Sequence, residues 1–93
     1  MANELVDNPA MHRFELPLGD DELAAAYYRL EGERLVIIHS EVPFHLSGQG
    51  IGSGLARAVF EEARRRRIKL VIRCPFFSAF LARHPEYSEL VDG

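Results

Sequence analysis

Between Ser47 and Leu55 the chain reads Ser-Gly-Gln-Gly-Ile-Gly-Ser-Gly-Leu, with glycine at every second position from 48 to 54. Before this run comes the aliphatic stretch Leu35-Val36-Ile37-Ile38, and after it an amphipathic segment from Leu55 to Arg67. Four consecutive aliphatics predict a strand buried on both faces, at the centre of a sheet covered by helices. Beyond the glycines, Ile51, Leu55, Val59 and Ala63 recur at i+4, with Ala56 and Phe60 beside them. Arg57, Glu61, Arg64 and Arg65 fill the other side, so the segment is a helix with one core-facing stripe. Strand, glycine loop and helix N-terminus in succession suit an anion. Glycine backbone approaches a ligand closely, the first helical N–H groups lack intrahelical partners, and the dipole adds partial positive charge. The same glycines also serve a plain strand-to-helix turn.

The remaining chain assembles around this unit. Residues 1–10 read as a flexible, frayed start, with Asn8-Pro9 a turn signal. From Met11 to Leu18 the alternation places His12, Phe14, Leu16 and Leu18 on one face of a half-buried strand, Arg13 and Glu15 on the other. Pro17 marks an edge position or the strand's end. Gly19-Asp20-Asp21 is a turn. Leu23 to Leu30 holds three alanines that favour helix, but its paired tyrosines and the following Gly32 favour a strand, with Glu31-Gly32-Glu33 as a hairpin turn. Arg34 to Glu41 is the central strand, and Pro43 makes Val42 to Leu46 irregular. After the long helix come a strand (Lys69 to Cys74), a short helix (Phe76 to His84) ended by Pro85, and a tail whose Tyr87, Leu90 and Val91 pack back. The predicted fold class is α/β (α+β): a mixed, mostly antiparallel sheet with one parallel β-α-β crossover and a C-terminal helix. Residues 11–93 form one domain.

Composition narrows the function. Net charge of −3 gives no field directed at nucleic acid. The basic run Arg64 to Arg67 ends the long helix, where cations complement the dipole. A single cysteine, Cys74, makes no internal disulfide and fits a reducing compartment. No secretory leader is legible at the N-terminus, and no stretch reaches the ~20 apolar residues of a membrane span. A cytoplasmic location is expected, with no metal site and a monomer or weak homodimer.

Known phosphate motifs can be tried on the glycine run. G-x-x-x-x-G-K-[ST] fails because the chain has no Lys-Ser or Lys-Thr pair, and G-x-G-x-x-G fails because Ser53 or Leu55 occupies its sixth position. Gln49-Gly50-Ile51-Gly52-Ser53-Gly54 does fit Q/R-x-x-G-x-G/A. It resembles the pyrophosphate-binding loop of the GNAT superfamily of acetyl-CoA-dependent N-acetyltransferases. The resemblance runs from about His39 to the end, through His-Ser-Glu-Val before the loop, Cys-Pro-Phe after the next strand and Arg-His-Pro-Glu-Tyr near the C-terminus. It is similar to the small, single-domain branch of that superfamily. The resemblance implies that the two parallel strands splay apart and that pantetheine threads between them. It further implies that backbone around Val42 pairs with pantetheine, and that Gln49, Gly50, Ile51, Gly52, Ser53 and Gly54 hold the pyrophosphate through N–H groups.

Catalytic candidates lie at the carboxyl ends of the two parallel strands, the rim where ligands bind in such sheets. Glu41 and His39, two apart on a strand, share a face, and either could take the proton an amine must lose. Cys74 precedes a helix start, which favours thiolate. It could accept the acetyl group as a nucleophile or only line the thiol pocket. The tyrosine many GNATs use as general acid has no counterpart in Ala79-Phe80-Leu81-Ala82, and Tyr87 lies beyond Pro85. Arg83 and His84 could reach adenosine phosphates or cap a helix. The expected function is acetyl-CoA binding and N-acetyl transfer to a small-molecule or protein amine. The alternatives are a non-catalytic CoA-binding module and an interaction domain without ligand.

Overall fold

The computed structural model describes residues 4–92. Five strands and two helices follow one another as β1 (Val6–Asn8), β2 (Arg13–Gly19), β3 (Glu22–Glu31), β4 (Arg34–Glu41), α1 (Ile51–Arg66), β5 (Lys69–Ile72) and α2 (Pro75–Arg83). Short 3-10 turns occupy Pro9–Met11, Phe44–Leu46 and Pro85–Leu90. The sheet runs β1-β2-β3-β4-β5, antiparallel throughout except for the parallel pair β4–β5 that α1 connects. The expected mixed sheet and crossover are both present.

Local chemistry explains most boundaries. Asp20 and Asp21, with φ of 53° and 63°, form the two-residue link between Gly19 and its cross-strand partner Glu22. Positive φ at both central residues matches the twist of the flanking strands. Pro17 lies past the end of the β1 pairing, which stops at Glu15, and next to a register shift against β3. The alanine-rich stretch is strand, as its tyrosines suggest. Ala24 and Ala26 are fully buried, and their small side chains let α1 lie close against β3.

Three sequence expectations are corrected. Val6–Asn8 is not frayed: it pairs with residues 13–15, and Asp7 accepts from the Tyr28 hydroxyl and from Arg66 at the end of α1. Asn8 does make the predicted turn, its side chain accepting from Met11 N. The frayed reading of residues 1–3 lies outside the described residues. His12 is not on the apolar face; it caps the 3-10 turn in a left-handed conformation before β2 begins. Helices do not cover both faces of β4. Both helices and the Pro85–Leu90 turn pack on one face, over Phe14, Leu16, Ala24, Ala26, Leu35, Ile37 and Leu70. Val36 is buried outside that cluster and Ile38 is exposed.

The core is aromatic at its centre. Phe60 of α1 contacts Phe77, Phe80 and Tyr87 with ring centroids 5.0–5.9 Å apart. Leu55, Ala56, Val59, Phe60 and Ala63 are the buried face of α1, the predicted stripe. The tail returns as expected: Tyr87 and Leu90 are buried, and Val91 bridges Leu70.

Candidate active site

Parallel pairing of β4 with β5 covers Arg34–Ile37 against Lys69–Ile72, and one further bond runs from Arg73 N to Ile37 O. Beyond that point β4 continues through Glu41, whereas β5 ends at Ile72. Just past the last shared pair, Ile37 with Ile72, lies a bulge in β4. Tyr27 faces His39 and Tyr28 faces Ile37, which leaves Ile38 out of register. An extra residue of this kind bends a strand and re-aims its side chains.

A cleft of about 360 Å³ opens beside the loop that follows β4. Val42, Gly50, Ile51, Gly52 and Ser53 line it, together with Leu46, Ser47, Gly48 and Phe76. Gly50 caps α1 at φ 78° without a side-chain bond. The first satisfied N–H of the helix is that of Gly54, bonded to Gly50 O at 3.0 Å. The N–H groups of Ile51, Gly52 and Ser53 therefore precede the ladder, on the wall of the cleft, at the positive end of a sixteen-residue helix. Gly52 also lets the Phe76 ring lie against the loop. A Cβ there would sit 2.8 Å from the Phe76 ring, which closes over it from the start of α2. Gln49 and Gly54 flank this wall and do not line the cleft.

The catalytic candidates are not brought together. Ser40 pairs across from Ala26 on the helix side, and its Oγ lies 3.4 Å from Cys74 Sγ. Glu41, the next residue, pairs with Ala25 and points to the opposite face. Cys74 is only 2% exposed and belongs to the helix-side core. Glu41 is open to solvent on the other face, its carboxylate 3.1 Å from His39 Nε2. His39 stacks on Tyr27 at 5.9 Å, and the Tyr27 hydroxyl accepts from Arg13 at 2.9 Å. Arg13 also bonds Glu15; with the Asn8 amide, it holds the Glu15 carboxyl below its ordinary range, the Asn8 bond being the larger cause.

Several residues at the C-terminal side are committed elsewhere. The Tyr87 hydroxyl donates to Glu61 and accepts from Arg57, and burial, followed by the Glu61 bond, pushes its pKa above the ordinary value. It does not reach the cleft. His84 stacks on Phe80 and lies 3.5 Å from Arg57. Arg64, Arg65 and Arg66 pair with Glu61 and Glu62 one turn earlier, and Arg67 is the left-handed C-cap of α1, which places that basic run within the fold. Sequence reasoning missed Phe76 and the bulge at Ile38; the Pro75-Phe76 helix start was a signal for the first, and no local signal marks the second. Among the described residues, no helix is long and apolar enough to cross a membrane, and no cluster of three metal-ligating side chains occurs.

Comparison with known proteins bears on the same features. Residues 13–90 match the sequence model of the GCN5-related N-acetyl-transferases, a span containing β2 to α2 and the whole glycine loop. A GCN5-like protein of Staphylococcus aureus, assigned as an N-acetyltransferase and solved by NMR in solution, is similar in structure. The TM-score is 0.70 at 29% identity, over 100% of this chain and 92% of that one. A match over residues 13–90, with strand, glycine loop and helix N-terminus in this order, makes this chain a member of the GCN5-related N-acetyltransferase family.

Proposed function

We propose that the cleft binds acetyl-CoA and that the acetyl group passes to a primary amine approaching β4 from the open face of the sheet. The observation that carries this is the position of three unladdered N–H groups of α1 on the wall of a cleft that Val42, just past the end of β4, also lines. The residues fit the group. The N–H groups of Ile51, Gly52 and Ser53 suit the pyrophosphate, Gln49 and Gly54 bound that wall, and Val42 backbone is available to the pantetheine amides. Phe76 offers an apolar surface across the cleft.

Bound acetyl-CoA supplies an activated acyl carbonyl. Glu41, directly or relayed through His39, accepts the proton of the attacking amine; the pair is exposed and hydrogen-bonded on that face. Cys74 takes no part in transfer in this reading, since a thiol that is 2% exposed against Ser40 and outside the cleft lining is shielded from a thioester. Direct transfer follows. A reducing cytoplasm is the compartment that suits a lone free thiol.

Calorimetric titration tests the reading. Acetyl-CoA should saturate the protein and ATP should not. Gly52→Asp should abolish binding by placing a carboxylate where phosphate belongs, whereas Glu41→Gln should keep binding and lower amine-dependent CoA release by ~10²-fold or more. Unchanged affinity in Gly52→Asp would remove the loop from the site. Intact mass after incubation should show no acetyl adduct on Cys74.

A further inference from the structure

The open face of the sheet carries a second hollow that cofactor binding leaves unused. A groove of about 550 Å³ is lined by His12, Tyr27, Tyr28, Arg29, Leu30 and Ile38. It lies at the β4 bulge: Ile38, out of register there, is 41% exposed. One wall touches the proton-accepting pair, because the Tyr27 ring stacks on His39, which bonds Glu41.

We propose that this groove is the acceptor site and takes a primary amine on an apolar body with no second positive charge. The proposal rests on the acetyl-transfer reading above. Ile38 and the Tyr27 ring offer an apolar bed, and the Glu41–His39 pair beside the bulge is where the amine nitrogen ends. Charge sets the other limit. Arg29 lines the groove and Arg13 lies over the Tyr27 ring at 5.6 Å. The neighbouring carboxylates Glu15 and Glu31 are already bonded to Arg13 and Arg29, at 2.7 and 2.9 Å. A second ammonium would meet cations and find these acids engaged, which selects against polyamines and lysine-rich peptides. In the transfer itself the amine nitrogen forms a bond to the thioester carbonyl carbon, and the carbon–sulfur bond breaks. The thiolate leaves with the electron pair, and the proton taken by Glu41 returns through water to the sulfur.

Phenethylamine and spermidine are the two probes. In an amide NMR titration without acetyl-CoA, phenethylamine should shift Tyr27, Arg29 and Ile38 saturably, and Ile38→Asp should weaken it at least tenfold. With acetyl-CoA, kcat/KM for phenethylamine should exceed that for spermidine at least tenfold, and Arg29→Glu should shrink the ratio severalfold. Shifts confined to other residues, or spermidine used as well as phenethylamine, would overturn the acceptor assignment even with acetyl-CoA binding intact. Failure of acetyl-CoA to bind in the separate calorimetric titration would instead overturn the transfer reading, and the acceptor role with it.

Discussion

Gly52 shows how much one missing side chain decides. Its place in the first turn of α1 costs helix propensity, about 1 kcal/mol relative to alanine. The reason for accepting that cost is spatial, because the Phe76 ring occupies the volume a methyl group would need. Gly52→Ala should leave stability within about 1 kcal/mol of wild type: propensity improves, and the ring, 39% exposed, can swing aside. The ring then moves into the cleft, so acetyl-CoA affinity should fall about tenfold, a loss of roughly 1.4 kcal/mol. Paired thermal melts and calorimetric titrations separate the two effects. A fall in stability with unchanged affinity would show that Phe76 only packs the protein and takes no part in the cleft.

Among the elements, β1 depends on side chains far from it in sequence. Asp7 holds the Tyr28 hydroxyl and the Arg66 guanidinium, and Arg66 also pairs with Glu62 and lies over the Phe14 ring. Arg66→Ala should therefore cost about 1 kcal/mol, with amide exchange rising first at Val6–Asn8. The same network makes stability pH-dependent at both extremes. Burial, followed by the Asp7 bond, pushes the Tyr28 hydroxyl up to about 12 from an ordinary value of 10.0. Between these values the unfolded chain ionises first, so stability is complete below pH 10 and falls as pH rises toward 12. The loss should amount to about 2–3 kcal/mol, and Tyr28→Phe should flatten it. On the acid side, Glu62 is held low chiefly by its bond from Arg65, and Glu15 by Asn8. Their contribution is present above the ordinary value of 4.5 and disappears as pH drops through the depressed ones. Denaturant melts from pH 3 to 12 read both slopes.

At the scale of the whole molecule, a five-stranded sheet with helices on one face leaves its other face free for an acceptor. Saturation with acetyl-CoA at a hundred times its Kd should add about 2.7 kcal/mol, raising Tm by roughly 10–20 °C for a domain of this size, with no shift from ATP. The order of elements from β2 onward, the α1 stripe and the glycine loop were legible in the sequence, because 3.6- and 2-residue periodicities and glycine backbone freedom act within a few neighbours. So were the returning tail and the position of the loop between parallel strands. What only the tertiary structure decided is how these pieces face one another. Four aliphatics from Leu35 to Ile38 looked buried on both sides, yet a bulge set by pairing with β3 turns Ile38 outward. Glu41 and Cys74 both stand near strand ends, yet the alternation of β4 sends Glu41 to the open face while Cys74 sits beneath the helices against Ser40. The bulge arises from partners 9 and 12 positions away and the facing of Cys74 from one 34 positions away, and no local pattern encodes such distances.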